Sequence, residues 1–184
     1  MLTRDSHCTY CGTAYTDVDG WPRTCAACQQ ISFRNPVPVT IVLVPVDDGV
    51  LVVRRAIEPH RGKLALPGGY VDFGETWQAA GAREVWEEAG VVVDASGMRP
   101  LEVFSAPDNT LIIAGIVPTL SAADLPPFAV NSESSERRVL TEPEPLAFDL
   151  HSDLLTRYLN GNLLGYTVQK PAPSPARHRM PDAT

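Results

Sequence analysis

"GGYVDFGETWQAAGAREVWEEAGV", residues 68–91, crowds Asp72, Glu75, Glu84, Glu87 and Glu88 around a single base, Arg83. Pro67, Gly68, Gly69 and Gly74 are turn-forming residues, so the stretch opens as a loop. From Glu75 to Ala89 only Gly81 disfavours a helix, by roughly 1 kcal/mol relative to alanine. At about 100° per residue, Gln78, Ala82, Val85, Trp86 and Ala89 form one mostly apolar stripe. Glu84, Glu87 and Glu88 are then expected together on the opposite side, where like charges at such spacings destabilise a helix. A solvated acidic face is the ordinary reading of such a run. The loop in front of it favours another. Glycines let backbone approach a ligand closely, and Glu75 is expected at the helix start, where the macrodipole favours negative charge. Mg2+ takes carboxylate oxygens together with substrate phosphates, and a glutamate cluster beside a glycine loop offers both halves of that arrangement.

The spacing supports the second reading. Gly69, five residues, Glu75, seven residues, then Arg83-Glu84-Val85-Trp86-Glu87-Glu88-Ala89-Gly90-Val91 fills every fixed position of the Nudix box. The chain therefore resembles a Nudix hydrolase. The resemblance implies an α+β fold, a Nudix α/β/α sandwich with a mixed sheet, over residues 35–162. It also implies that Glu84, Glu87 and Glu88 hold Mg2+ or Mn2+, that Gly69 adds its carbonyl oxygen, and that Arg83 pairs with Glu75 to lock loop to helix. Related enzymes draw a further acid from a later loop. In "NSESSERRVL", residues 131–140, the candidates are Glu133 and Glu136, with Glu133 taken as the catalytic one beside Glu84, Glu87 and Glu88.

All four cysteines lie in the first 28 residues, as Cys8-x2-Cys11, thirteen residues, Cys25-x2-Cys28. Two such pairs are the spacing of a closed tetrahedral zinc site, structural because no position is left for substrate. The other readings are two disulfides or four idle thiols, and disulfides are disfavoured because the sequence shows no apolar export signal at its start. Gly12 after Cys11 fits a zinc knuckle, whereas Gln29 after Cys28 departs from it. Residues 1–34 are therefore expected to form a zinc ribbon, and the proline- and alanine-rich residues 163–184 a flexible tail.

The net charge of −7 disfavours a sequence-independent nucleic-acid binder, which would rest on Lys/Arg–phosphate contacts. No apolar run approaches the length of a membrane span. A cytoplasmic protein is expected, with a homodimer possible. Strands are expected at "VTIVLVPV" and "VLVVRR", joined by an Asp47-Asp48-Gly49 turn, and near "VVVDA", "RPLEVFSA", "TLIIAGIVP" and "RRVL". "FDLHSDLLTRYLNG" reads as a closing helix. Arg54 and Arg55 end a strand just before the site; alternation sends them to opposite faces, so one at most meets phosphate. Trp77 is expected to be packed rather than stacked on a base, and His7, beside Cys8, is not needed as a ligand.

A zinc ribbon before a Nudix domain is similar to the NADH pyrophosphatase and ADP-ribose pyrophosphatase branch. That branch carries a Ser-Gln-Pro-Trp-type signature; here "FSAPDNTL" keeps Ser105 and Pro107 but has Ala106 and Asp108 in place of Gln and the aromatic. The resemblance implies a Mg-dependent pyrophosphohydrolase acting on an NAD(H)- or ADP-ribose-like dinucleotide or nucleotide sugar. The alternative is a non-catalytic nucleotide-sensing or interaction module on the same fold, which has no need of three metal carboxylates.

Overall fold

The computed structural model describes residues 5–16 and 20–163; the tail expected beyond residue 163 lies outside them. In chain order the strands are β1 (Arg23–Thr24), β2 (Ile31–Ser32), β3 (Val37–Leu43), β4 (Pro45–Val46), β5 (Gly49–Arg55), β6 (Leu64–Ala65), β7 (Gly68–Tyr70), β8 (Arg99–Ser105), β9 (Thr110–Ile116) and β10 (Ser134–Leu140). The helices are α1 (Trp77–Ala89) and α2 (Asp149–Leu159).

β3 and β5 carry apolar residues on both faces, the mark of strands covered twice. Ile41, Leu43, Val50 and Val52 pack with Leu154 and Leu155 of α2. The alternate residues Val42, Val44, Leu51 and Val53 pack with Val85 and Ala89 of α1. Sheet layers between two helices make the expected α/β/α sandwich. One sheet runs β7-β3-β9-β8 and is mixed, since β3 is parallel to β9 and antiparallel to β7. The other runs β10-β5-β4, with β6 also on β5.

Two expectations need correction. "VTIVLVPV" is not one strand: β3 ends at Leu43, and Pro45–Val46 cross to the other sheet as β4. Pro45 has no N–H to give a ladder, which suits an edge strand. At "VVVDA" no strand forms. Val91 and Val93 are buried and Val92 is exposed, but no neighbouring strand pairs with them. Asp94 instead caps a short 3-10 turn, Ala95–Gly97. The Asp47-Asp48 turn is present, with Asp47 at positive φ and Val46 opposite Gly49. Gly161, just past α2, also takes positive φ.

Candidate active site

Helix α1 begins at Trp77, two residues later than the start expected at Glu75. Thr76 is the N-cap, its hydroxyl accepting from the N–H of Ala79 at 3.1 Å. Glu75 therefore stands outside the first turn, which contains no acid. It serves Arg83 instead: the guanidinium donates to both Glu75 oxygens, at 2.8 and 3.4 Å, and to Tyr70 O at 2.9 Å. That pair ties the loop to the helix. Through Nη1, Arg83 also reaches Glu84 at 2.8 Å and Glu87 at 3.0 Å. Arg83 and the Asp72 N–H hold Glu75 below the usual carboxylate range.

The face of α1 differs from the hydrophobic-stripe expectation. Glu84 and Glu88 are buried beside Val85 and Ala89, whereas Trp86 is 58% exposed. The reason is the partner. Part of the buried face meets the glycine loop rather than an apolar surface, and there a carboxylate has hydrogen-bond donors. Glu88 Oε2 accepts the N–H of Gly68 at 3.0 Å. A Cβ at Gly69 would overlap the carboxylate of Glu84, so only glycine permits the approach. Trp77 packs inward against the α1-side core and the backbone at Gly115.

Ligand atoms of Glu84, Glu88 and Glu133 lie within 4.8 Å of one another. Glu87 is outside this group, more exposed and held by Arg83. Glu136 is outside it too, paired with Arg54 at 2.6 Å. The charges of the three acids oppose one another. Burial, then the charges of Glu84 and Glu133, push Glu88 up to about 8 despite the Gly68 N–H. Burial likewise raises Glu84, with Arg83 opposing and Glu87 and Glu133 adding to the rise.

Two side chains that hold this geometry are not evident in the sequence. Asn131 accepts the N–H groups of Glu133 at 2.9 Å and Ser134 at 2.8 Å. Its Nδ2 donates to Glu87 O at 2.9 Å. Arg137 donates to Ala89 O at 2.9 Å. Gly90, at φ 69°, turns its own N–H back to Trp86 O. Together these meet the carbonyls that a helix C-terminus leaves open, and Asn131 thereby fastens the Glu133 loop to the end of α1. The cue is Asn131 itself, since an Asn side chain commonly bonds the backbone two residues on in a turn. That its amide reaches a helix end more than 40 residues earlier in the chain is set by the fold.

The ribbon brings Cys8, Cys11, Cys25 and Cys28 within 4.8 Å of one another, with Sγ–Sγ distances of 3.7 Å for Cys8–Cys28 and 3.6 Å for Cys11–Cys25. His7 is not in the cluster. The two knuckles are equivalent: Gly12 N–H bonds to Cys8 O and Gln29 N–H to Cys25 O, both at 2.9 Å. Gln29, at φ 60°, lies in the same left-handed region as Gly12, at φ 73°, so its departure from glycine does not alter the turn. Burial opposes ionisation of Cys8, but the Cys11 and Tyr10 N–H groups and neighbouring thiols bring it down to about 6. Cys28 receives the Gln30 N–H, yet burial and the other three thiols push it up to about 12. Four sulfur donors in a closed cluster suit zinc.

A sequence profile of the NUDIX domain matches residues 34–147. The chain belongs to the Nudix family. The chain is 38% identical over 88 residues to the NAD-capped RNA hydrolase NudC of Edwardsiella ictaluri, covering 47% of this chain and 34% of that protein. It is 34% identical over 77 residues to the ADP-ribose pyrophosphatase of Methanocaldococcus jannaschii, covering 42% and 44%. These matches span less than half the length of either relative. The crystal structure of a NUDIX hydrolase from Nitrosomonas europaea superposes with a TM-score of 0.65 at 30% identity, covering 84% of this chain and 90% of that one. None of the described helices of the Nudix chain is long and apolar enough to cross a membrane.

Proposed function

We propose that this chain is a Mg2+-dependent pyrophosphohydrolase that cleaves the diphosphate linkage of a nucleoside diphosphate joined to another moiety, of the NAD(H) or ADP-ribose type. The observation that carries the reading is the convergence of Glu84, Glu88 and Glu133 within 4.8 Å beside the Gly68–Gly69 loop. Oxygen-only donors whose charges oppose one another fit a hard dication. Glu84, Glu88 and Glu133 would hold it, with the Gly69 carbonyl as a further oxygen; Glu87 stands at the rim, steadied by Arg83. Such an ion, when bound, polarises phosphoryl oxygens and lowers the pKa of water. Glu133 is the least buried of the three acids, and in this reading its carboxylate takes a proton from the attacking water. In the ribbon, zinc on Cys8, Cys11, Cys25 and Cys28 would be structural.

The names of the two curated relatives, an NAD-capped RNA hydrolase and an ADP-ribose pyrophosphatase, support a nucleotide derivative as substrate. The acidic chain, at −7, favours a free small molecule over a nucleic-acid strand. The test is a panel of nucleoside diphosphate derivatives incubated with the purified protein and Mg2+ and resolved by chromatography. Release of a mononucleotide from at least one is expected; release from none would overturn the hydrolase reading.

A further inference from the structure

Three arginines extend from the box helix and the adjoining end of β5, and their hydrogen bonds differ. Arg83 is fully engaged, with Glu75, Glu84, Glu87 and Tyr70 O. Arg54 gives Nε to Glu136 at 2.6 Å and Nη1 to Gly62 O at 2.8 Å. Arg55 gives only Nε, to Pro59 O at 2.8 Å. Among the described residues neither of its Nη groups has a hydrogen-bond partner. The guanidinium is nevertheless held in place, 5.4 Å from the ring centroid of Phe148. That ring is itself fixed by His151, at 4.9 Å between centroids, and by the edge of His60, at 5.2 Å. The root of the side chain is equally tied to the site. Arg55 is opposite Ser134 in the β5–β10 ladder, and the next residue, Ala56, donates its N–H to Glu133 O at 2.7 Å. Lys63 also has no hydrogen bond from its ammonium among the described residues, but it lines a separate groove with Arg54, Arg138 and Glu144.

We infer that Arg55 receives a phosphoryl group of the substrate beside the carboxylate centre, and that Arg54 does not. The inference rests on the reading of the site as one for a diphosphate. A guanidinium offers a planar pair of donors that matches phosphate oxygens. Here Nε and the ring face are used to hold the fork, leaving the two Nη groups for a ligand, so little freedom is lost on binding. Arg54 would have to break a charged pair first.

The test uses α,β-methylene-ADP, whose P–C–P bridge resists hydrolysis, titrated calorimetrically with Mg2+ into the full chain. Arg55→Gln should weaken binding by about tenfold or more, the range for one lost charge-assisted contact. Arg55→Lys should fall between that variant and the wild type, and Arg54→Gln should stay within about twofold of the wild type. Phe148→Leu keeps the cation but removes the ring beneath it, and should weaken binding by about threefold while leaving the fold in place. If Arg54→Gln costs as much as Arg55→Gln, or if the wild type does not bind the analogue, the assignment is overturned. A wild type that binds the analogue but cleaves nothing in the substrate panel would overturn the hydrolase reading alone, and the comparison of variants would still decide the role of Arg55.

Discussion

Glu88 Oε2 accepts the backbone N–H of Gly68 at 3.0 Å, joining helix α1 to the glycine loop through a buried acid. Its shape is needed for the fold and its charge for the site, and the two can be separated. Glu88→Gln retains a carbonyl oxygen for Gly68. The variant is expected to melt close to the wild type while kcat falls on the order of 10²–10³-fold, the size of a well-placed electrostatic contribution. Steady-state kinetics on the best substrate of the panel measures it. A smaller loss than that of Glu133→Gln would move the centre of the site towards β10.

Burial and neighbouring acids hold Glu88 at about 8 in the folded chain, above its ordinary value of 4.5. A carboxyl group raised on folding contributes stability that is present below the unfolded value and lost as pH rises through the folded one. Without divalent ions, the melting temperature should therefore decline between pH 5 and pH 8, by roughly 3 °C or more, given that ~1 kcal/mol shifts a chain of this size by about 2–4 °C. Added Mg2+ should restore more at pH 8 than at pH 5, because protons and the cation compete for the same oxygens. Calorimetric scans at the two pH values, with and without Mg2+, check this. In Glu88→Gln the decline should shrink.

Asn131→Ala removes the amide that receives Glu133 N–H and Ser134 N–H and that donates to Glu87 O. The expected cost is about 1–3 kcal/mol in denaturant unfolding. Activity should drop by roughly tenfold beyond any unfolding, since small displacements of a reacting group are costly. Asn131→Asp keeps the acceptor half and should recover part of the stability. Unchanged stability and activity in the alanine variant would show that the Glu133 loop is held by other contacts.

The two candidate metals should part company under chelation. Brief treatment with a weak chelator is expected to abolish activity reversibly while elemental analysis still finds about one zinc per chain, because thiolates favour zinc and oxygen ligands exchange readily. Cys25→Ser should lose the zinc and loosen the ribbon, whose two strands are only two residues each. Four freely titrating thiols and no zinc in the reduced protein would refute the ribbon metal.

The box helix, its glycine loop and the four-cysteine cluster were legible in the sequence because spacing alone brings their residues together. The separation of Glu84 and Glu88 from Glu87 was not, since hydrophobic periodicity assumes that a buried face is apolar. That assumption fails where the face meets backbone N–H groups, as Glu88 does at Gly68, and so it placed Trp86 inside and the acids outside. The choice between Glu133 and Glu136 was equally out of reach of local pattern. It turns on Arg54 claiming Glu136 and on Asn131 bending the other acid towards α1. The crossing at Val44 was hidden for a related reason: a run buried on both sides looks the same in one sheet or in two.

The long-range ladders also set an order of assembly during synthesis. Glu84 and Glu88 lie one turn apart and can be neighbours as soon as α1 forms. Glu133 depends on β10 pairing with β5, Ser134 opposite Arg55, and β3 on β9, Val37 opposite Thr110. Closing such distant pairs carries an entropic cost that must be met before they stabilise anything. On the ribosome, therefore, a chain that has emerged only as far as α1 has Glu84, Glu88 and the glycine loop but not Glu133, and the three-carboxylate cluster is completed only after the segment through Leu140 is free to pair.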